Sequence, residues 1–452
     1  MKIIIIGCGK VGATLAEQLS KEENSVTVID RKFDVVQSLS NELDVIGLMG
    51  NGASYLTQVE AGIEEADLMI AVTGSDELNL LCCLISKKAG NCQTIARVRN
   101  PEYNHEIRFI KEELGLAMVI NPEYEAAMEI ARVMRFPSAI KIEPFAKGRV
   151  ELLKFKIREG SVLHNMEVRE ISSKLRCDVL VCMVERKDEV IIPTGTFELH
   201  EKDIVSIVAP PKLSNNFFKH IKVGTNRAHT AMIVGGGSIA YYLANQLIRM
   251  GIDVEIVEKC RDRCEVLSEL IPKATIIHGD GINQNLLLEE GLSRMDAFIA
   301  LTNLDEVNIV LSLFARSKGD MKTVTKINSI NFDEVIDGLD LDSVVYPKYV
   351  TSESIIRFVR AMKNSIGSNV ETLYRLVGNK VEALEFIIKD NAPLLNISLE
   401  ELELKNGLLI ACIHRNGQII IPKGKDVIKM GDTVVIVTTN TGLNDISDIL
   451  QN

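Results

Sequence analysis

Short apolar runs alternate with helix-length amphipathic stretches along the first part of the chain. The runs lie at residues 2–6, 26–29, 45–47, 68–72, 94–98 and 118–120. Runs this short and this apolar are typical of strands buried on both faces, and the longer segments between them predict crossover helices. The alternation therefore predicts a doubly wound α/β lobe with a parallel sheet. An amphipathic helix from Pro122 to about residue 134 closes it.

The N-terminal segment contains a candidate binding loop. Gly7, Gly9 and Gly12 form a G-x-G-x-x-G pattern between the first strand and a helix that begins near Val11. The first glycine permits a tight turn, the second lets the backbone approach a pyrophosphate, and the third allows the helix to pack closely on the sheet. Asp30 ends the second strand, where a carboxylate accepts hydrogen bonds from ribose hydroxyls and repels a 2′-phosphate. The segment therefore predicts a dinucleotide site that favours NAD(H) over NADP(H).

The same motifs return once, 228 or 229 residues further along the chain. Residues 234–240 repeat residues 6–12, and Glu258 repeats Asp30. The match extends beyond the α/β lobe, since residues 150–155 resemble 381–386 and residues 192–195 resemble 421–424. A period of about 225 residues indicates one duplication of a large unit and excludes a solenoid, whose repeats run roughly 20–50 residues.

The segments between the α/β lobes have a different pattern. Short β-branched runs lie at residues 151–157, 179–185, 189–192 and 203–208. Short helices are predicted at residues 161–175 and 394–404, and Asn416-Gly417 suits a type I′ hairpin turn. These features predict a small α+β lobe after each α/β lobe. Two prolines, two adjacent asparagines and several cations make residues 210–229 an expected exposed linker.

The predicted organisation is two tandem copies of a Rossmann-like α/β lobe plus a small α+β lobe. The predicted bounds are 1–138 and 230–364 for the Rossmann-like lobes, 139–212 and 365–452 for the small lobes, and 213–229 for the linker.

Composition narrows the classes of function. The chain has 452 residues, with 51 Lys plus Arg against 62 Asp plus Glu, for a formal net charge of −11. An acidic chain argues against nucleic acid as a partner, and no apolar run has the length of a membrane span. The chain enters a strand directly after Met1, so we expect no signal peptide. Nine scattered cysteines suggest reduced thiols, a cytoplasmic location and no metal site.

The tandem arrangement resembles the KTN/RCK family over nearly the whole chain. The resemblance depends on the glycine loop and Asp30 followed, in order, by Gly-Asn-Gly at 50–52, Ala-Val-Thr-Gly-Ser-Asp-Glu at 71–77 and Ile-Ala-Arg-Val-Arg at 95–99. By position, it implies nucleotide contacts in the first lobe from Gly7, Cys8, Gly9, Lys10, Val11, Gly12, Asp30, Thr73, Gly74 and Arg97. The implied counterparts in the second lobe are Gly235, Gly236, Gly237, Ser238, Ile239, Glu258, Thr302, Asn303 and Lys326.

The resemblance also implies a function. It implies a cytosolic regulatory subunit of a Trk-type potassium uptake system that responds to NAD(H), with ATP or ADP as further candidates for the same sites. The implied partner is an integral membrane potassium-translocating protein of the TrkH/TrkG type. The implied assembly is a homo-oligomeric ring of lobes, peripheral on the cytoplasmic face of the membrane.

Several alternatives stay open from the residues themselves. An NAD-dependent oxidoreductase is the alternative function, although no general acid–base pair recurs in both halves. Asp76, Glu77 and Asn79 fit ligand contacts or the capped first turn of a helix equally well. In the second lobe, Ala240 replaces the third glycine and Lys326 replaces Arg97, so we expect both sites to be occupied with tighter binding at the first.

Overall fold

The structure is a computed structural model of the chain. It describes residues 1–22, 24–136, 139–145, 149–187, 189–221, 228–328, 336, 338–339, 341–364, 370–376, 380–389, 392–440, 442–443 and 445–451. The chain divides into two compact units. The first combines Met1–Ile130 with Thr230–Ile356, and the second combines Ala131–His229 with Arg357–Asn452. Each unit therefore brings together the corresponding parts of the two sequence repeats.

The first Rossmann-like lobe contains a six-stranded parallel sheet. Its strands are β1 (Lys2–Ile6), β2 (Ser25–Asp30), β3 (Ile46–Met49), β4 (Leu68–Ala71), β5 (Gln93–Arg97) and β6 (Met118–Ile120). Its helices are α1 (Lys10–Ser20), α2 (Phe33–Glu42), α3 (Tyr55–Glu60), α4 (Asp76–Ala89), α5 (Pro101–Glu113) and α6 (Pro122–Arg135). The strand order β3-β2-β1-β4-β5-β6 is that of a doubly wound sheet. Ile3 to Ile6 are buried on both faces of β1, as their continuous apolar pattern predicts.

The first small lobe is built on an antiparallel sheet. Its strands are β7 (Ala139–Phe145), β8 (Val150–Lys156), β9 (Met166–Glu167), β10 (Leu180–Arg186), β11 (Glu189–Ile191), β12 (Glu198–Leu199) and β13 (Ile204–Ala209). Its helices are α7 (Val168–Leu175) and α8 (Pro211–His220). The main sheet has the order β11-β10-β13-β8-β7.

Two expectations for this lobe are corrected. The helix predicted from residue 161 begins only at Val168, where Glu167 and Glu170 form a capping box that fixes its start. The first part of the segment expected to be an exposed linker instead forms α8, and residues 222–227 of that segment lie outside the described residues. Phe217 and Phe218 of this helix are buried in the core of the lobe, and their apolar burial outweighs the loop-like composition around them.

The second Rossmann-like lobe repeats the first. Its strands are β14 (Thr230–Val234), β15 (Asp253–Glu258), β16 (Thr275–His278), β17 (Ala297–Ala300), β18 (Lys322–Lys326) and β19 (Ser343–Val345). Its described helices are α9 (Ser238–Arg249), α10 (Arg261–Leu270), α11 (Gln284–Glu289), α12 (Asp305–Lys318) and α13 (Pro347–Asn364). The strand order β16-β15-β14-β17-β18-β19 matches that of the first lobe strand for strand.

The second small lobe also has an antiparallel sheet. Its strands are β20 (Val370–Leu376), β21 (Val381–Ile387), β22 (Leu408–Arg415), β23 (Gln418–Ile420) and β24 (Thr433–Thr438), in the order β20-β21-β24-β22-β23. Asn416 and Gly417 both have positive φ angles, 49° and 84°, as the predicted type I′ turn requires. The predicted helix at 394–404 is wrong: these residues form turns and isolated bridges, because Leu395 and Ser398 pair with the segment around Val427.

One hydrophobic cluster extends across both small lobes, in addition to the core within each lobe. It joins side chains of β8, β10 and β13 to side chains of β21, β22 and β24, with Leu152, Cys182, Ala383, Cys412 and Val435 among its buried members. The predicted fold class is confirmed by these sheets. Within the described part of the chain, every helix is too short or too polar to cross a bilayer.

Candidate functional site

The loop between β1 and α1 combines tight packing with one open position. Gly7 has a φ of +98°, and a Cβ there would lie 2.8 Å from the backbone nitrogen of Thr73. A Cβ on Gly12 would lie 1.9 Å from the carbonyl oxygen of Gly7, so α1 packs directly on the turn. A Cβ on Gly9 would meet no heavy atom of the described residues within 4 Å. Gly9 therefore leaves the N-terminus of α1 open to a ligand.

Asp30 holds the other side of this loop. Its Oδ2 accepts a hydrogen bond from the backbone N–H of Cys8 at 2.8 Å, and its Oδ1 accepts one from the backbone N–H of Lys32 at 3.0 Å. The backbone N–H of Gly50 donates to the Asp30 carbonyl oxygen at 2.9 Å, which ties the end of β3 to the end of β2. The carboxylate is thus fixed at the carboxyl end of β2, beside the glycine loop, where a ribose would lie.

The ends of β4 and β5 are held together by polar side chains from the start of α4. Asn79 accepts from the backbone N–H of Thr73 at 2.8 Å and donates to the carbonyl oxygen of Arg97 at 2.9 Å. Ser75 caps α4, and the buried carboxylate of Asp76 accepts from the backbone N–H groups of Arg99 and Asn100, both at 2.8 Å. These contacts favour the structural interpretation of Asp76 and Asn79 over direct ligand binding.

A cavity of about 660 Å³ opens at the carboxyl ends of these strands. It lies within the range of small-molecule sites, roughly 300–1,000 Å³. Five cations and two carboxylates line it: Lys10, Arg31, Lys32, Arg97 and Lys348, with Asp30 and Glu123. The excess of cations favours an anionic ligand such as a nucleotide phosphate.

Arg97 lies at the end of β5 inside this cavity. Its guanidinium donates to the Thr73 carbonyl oxygen, and its Nε is buried with no hydrogen-bond partner in the described part of the chain. Burial lowers the pKa of Arg97, and the nearby Arg99 adds to this effect. An incoming phosphate would supply the missing acceptor.

Glu123, in the first turn of α6, lies on the same side of the cavity. Its Oε2 is buried with no hydrogen-bond partner among the residues that the structure describes. Burial raises the pKa of the Glu123 carboxyl, while the backbone, Arg99 and Arg97 oppose that shift. Glu123 and Arg97 therefore line the same cavity and influence each other electrostatically, while Oε2 of the carboxylate and Nε of the guanidinium make no hydrogen bond within the described part of the chain.

The loop between β14 and α9 has the same backbone geometry. Gly235 has a φ of +102°, and a Cβ on Gly237 would meet no heavy atom of the described residues within 4 Å. Glu258 Oε2 accepts from the backbone N–H of Gly236 at 2.6 Å, as Asp30 does from Cys8. The mouth of this second loop is therefore built like the first.

The surroundings of the second loop are more crowded. Arg263 stands where Val35 lines the first cavity, and its Nε donates to the Gly236 carbonyl oxygen at 2.7 Å. Lys326 is buried and donates to the Leu301 carbonyl oxygen at 3.1 Å, so its ammonium turns back to the protein. Burial lowers the pKa of Lys326. Thr302 is held by Asn308, and Asn303 is exposed.

The two Rossmann-like lobes contact each other beside the first cavity. The hydroxyl of Tyr242, on α9, donates to the carbonyl oxygen of Arg99 at 3.1 Å and accepts from the side-chain amide of Asn121 at 3.0 Å. The Tyr242 ring packs edge-on against Tyr124, with 5.6 Å between ring centroids. The second lobe therefore lies against the junction of β6 and α6.

Family models match both parts of the repeat. The TrkA-N domain matches residues 3–122 and 231–347, and the TrkA-C domain matches residues 152–222 and 383–451. The chain belongs to the TrkA family. TrkA-family proteins are regulatory proteins and not enzymes, so the oxidoreductase alternative is set aside.

Curated TrkA relatives match this chain from end to end. The Trk system potassium uptake protein TrkA homolog 1 of Methanosarcina mazei is 30% identical over 99% of this chain and 99% of its own length. The Trk system potassium uptake protein TrkA of Halomonas elongata is 31% identical over 100% of this chain and 99% of its own length. The similarity to these relatives therefore covers both copies of the domain pair.

Solved structures share the fold of this TrkA-family chain at low sequence identity. The GsuK channel has a TM-score of 0.65 and 16% identity, covering 97% of this chain and 77% of that chain. The GsuK channel bound to NAD has a TM-score of 0.63 and 16% identity over the same shares. The RCK domain of GsuK also has a TM-score of 0.63, covering 92% of that chain.

The structure brings most of the first-lobe candidates of this TrkA-family chain into one cavity. Its lining includes Gly7, Cys8, Gly9, Lys10, Val11, Asp30, Thr73, Gly74 and Arg97. Gly12 lies behind the loop and serves packing. The assignment of each residue to a nucleotide contact stays a prediction, as do the domain bounds.

Sequence reasoning missed several other lining residues, among them Glu123, Asn328 and Lys348. One signal in the sequence could have pointed to Glu123 and Lys348. Pro122-Glu123-Tyr124 and Pro347-Lys348-Tyr349 occupy equivalent places in the two repeats but reverse the charge after the proline.

Proposed function

We propose that this chain is the nucleotide-binding regulatory subunit of a Trk-type potassium uptake system. It binds NAD(H), ATP or ADP at the first glycine loop and gates a membrane potassium-translocating partner of the TrkH/TrkG type. It acts as a homo-oligomer at the cytoplasmic face of the membrane. The proposal extends the names of the curated relatives, which are Trk system potassium uptake proteins, to this chain.

The open N-terminus of α1, inside a cation-rich cavity, is the main support for the proposed nucleotide binding. The free N–H groups of a helix N-terminus and its positive dipole end bind phosphate. Gly9 leaves the approach to those groups clear, while Asp30 lies beside the loop at the end of β2. An adenosine ribose at Asp30 places its phosphates over Gly9. The NAD-bound state of the structurally similar GsuK channel is consistent with this arrangement.

The position of the cavity supports the proposed gating role. Its far side is formed by Glu123 and by residues of the second Rossmann-like lobe, next to the contact that Tyr242 makes with Asn121. A ligand bound there touches both lobes and so biases their packing. A coupling free energy of about 1–3 kcal/mol between ligand and partner would change activity roughly five- to 150-fold.

The second loop is proposed as a weaker nucleotide site. Gly235, Gly237 and Glu258 reproduce the phosphate and ribose positions of the first loop. Arg263 replaces the apolar Val35, and Lys326 is directed to the Leu301 carbonyl oxygen. Arg263 removes an apolar contact, and the ammonium of Lys326 lacks the planar fork with which the Arg97 guanidinium can bind a phosphate. We therefore expect weaker binding at this loop than at the first.

The test is potassium flux through the membrane partner in reconstituted vesicles. Flux is measured with the partner alone, with the partner and this chain, and with NADH, NAD, ATP or ADP added to the complex. We expect the chain to bind the partner and at least one nucleotide to change flux fivefold or more. A chain that binds the partner but leaves flux unchanged with every nucleotide would contradict the gating role.

A variant separates ligand binding from assembly. Gly9→Val blocks the approach to the first loop, whereas the matched variant Gly237→Val blocks the second. Both should still bind the partner. Only Gly9→Val should abolish the main flux response, and equal effects of the two variants would contradict the assignment of the dominant site to the first lobe.

A further inference from the structure

The two sequence repeats differ in charge at one equivalent position. Glu123 follows Pro122 in the first turn of α6, and Lys348 follows Pro347 in the first turn of α13. The two copies lie in different lobes, yet both side chains line the cavity of the first lobe. Asn328, just after β18 of the second lobe, lines it as well. The first cavity is therefore completed by the second repeat.

The contacts of Tyr242 show on which side the second lobe enters. Tyr242 bonds to Arg99 and Asn121, which follow β5 and β6 of the first lobe. In the sheet order β3-β2-β1-β4-β5-β6, these strands lie on the opposite side of β1 from β2, which carries Asp30. Lys348 and Asn328 thus reach the cavity from the side away from the expected adenosine.

This geometry sets the direction of a bound nucleotide. With its ribose at Asp30 and its first phosphate over Gly9, the ligand continues along the carboxyl ends of β4 and β5. Its distal end then lies near Arg97, Glu123 and Lys348. Beyond the second phosphate, NAD(H) carries a nicotinamide riboside, ATP carries its γ-phosphate, and ADP carries nothing.

The charges at the distal end favour phosphate. Arg97, at the end of β5, and Lys348 line this part of the cavity, against the single carboxylate of Glu123. Burial lowers the pKa of Lys326 in the second lobe and Lys10 adds to that shift, while Asp305 and Glu123 oppose it. Asp76 influences the pKa of Arg97 and of Glu123, and its carboxylate already accepts hydrogen bonds from the backbone N–H groups of Arg99 and Asn100.

We propose that Lys348 of the second lobe binds the γ-phosphate of an adenosine triphosphate in the first site, with Asn328 beside it. The first site is then shared by the two repeats, and Lys348 determines its preference among nucleotides. The ammonium adds a charge-assisted contact only when the ligand carries a phosphate that far from the adenosine. ADP, AMP and NADH lack that group. The inference rests on the proposed nucleotide site around Gly9.

The experiment measures binding of ATP, ADP, AMP and NADH to the full-length chain by calorimetric titration. Lys348→Met keeps the length of the side chain and removes its charge. We expect it to weaken ATP binding about tenfold, while ADP, AMP and NADH change less than about twofold. Lys348→Arg should keep ATP affinity within about threefold of the unsubstituted chain.

Lys273→Met is the matched control, since Lys273 is an exposed lysine of the second lobe outside the cavity lining. It should leave all four affinities unchanged. Unchanged ATP affinity in Lys348→Met, or equal weakening of ATP and AMP, would overturn the assignment of Lys348 to a distal phosphate. If the unsubstituted chain binds none of the four nucleotides, the proposed nucleotide site itself fails, and the role of Lys348 fails with it.

Discussion

Gly9→Val is the most direct test of the first loop. The protein itself has room for a side chain at Gly9, but a phosphate bound at the loop would leave no such room. A Cβ at Gly9 would meet no heavy atom of the described residues within 4 Å, and its φ of −67° suits any residue. The substitution should therefore leave the fold intact. Its branched carbons would fill the space where the backbone approaches a pyrophosphate.

Gly9→Val should cost far more free energy in nucleotide binding than in folding. Exchanging the N-cap glycine for a residue without a capping side chain costs roughly 0.5 kcal/mol of helix stability. That corresponds to a melting shift of about 1–2 °C for a lobe of this size. Blocking two charge-assisted hydrogen bonds from backbone N–H groups to phosphate costs roughly 3 kcal/mol, or more than a hundredfold in affinity.

The assay pairs calorimetric titration of NADH and ATP with a thermal melt of the same sample. We expect Gly9→Val to lose the tighter binding event and keep its melting temperature. Gly12→Ala is the structural contrast, since its Cβ would lie 1.9 Å from the Gly7 carbonyl oxygen, and overpacking of this kind costs about 1–3 kcal/mol. Full nucleotide affinity in Gly9→Val would refute the reasoning.

Three further outcomes are expected. Asp30→Asn should weaken NADH binding at least tenfold and narrow the difference from NADPH, measured by titration of both; an unchanged ratio would contradict the ribose contact. Burial opposes ionisation of Asp203, but hydrogen bonds from Arg186 and a backbone N–H lower its pKa, so its stabilisation is present above pH 4 and is lost as the pH falls through the lowered pKa; Asp203→Asn should cost about 2 kcal/mol in a urea melt at pH 7 and progressively less as the pH falls through that lowered pKa, and a cost that does not change with pH would contradict this. Cys260 is the one exposed cysteine of nine, and burial raises the pKa of the Cys8 thiol to about 12. A thiol reagent at neutral pH should therefore modify one site rapidly, and Cys260→Ser should remove that reaction. Two rapidly modified sites would disprove this.

The Rossmann-like lobes were predictable because each strand is marked by its own chain segment. A strand buried on both faces needs a continuous apolar run such as Ile3 to Ile6, and a βα turn with positive φ needs a glycine such as Gly7. These are local requirements, so the sequence alone shows them. The duplication then identified the second lobe from the first.

The small lobes were less predictable because their segments depend on distant partners. Residues 394–404 have helix-forming composition but pair with the segment around Val427. Residues 211–220 look like a linker, yet Phe217 and Phe218 fill the core of the first small lobe. Tertiary contacts of this kind override local propensity, and no periodicity within the segment reports them.

The candidate site was predictable only in part, for the same reason. The glycine loop, Asp30 and Arg97 lie within one lobe and follow from strand order. Asn328 and Lys348 come from the other repeat, and no motif of a nucleotide site surrounds them in the sequence. They line the first cavity because the second lobe packs beside it, where Tyr242 contacts Asn121.

The core shared by the small lobes has a consequence for work with fragments. Cys182 of β10 and Cys412 of β22 lie in the same apolar cluster, together with Leu152 and Ala383. Cutting the gene at its midpoint would leave each product with half of that cluster facing water. Shortened versions of the molecule for crystallography should therefore keep residues 139–221 and 370–451 together, with the Rossmann-like lobes being the parts to omit.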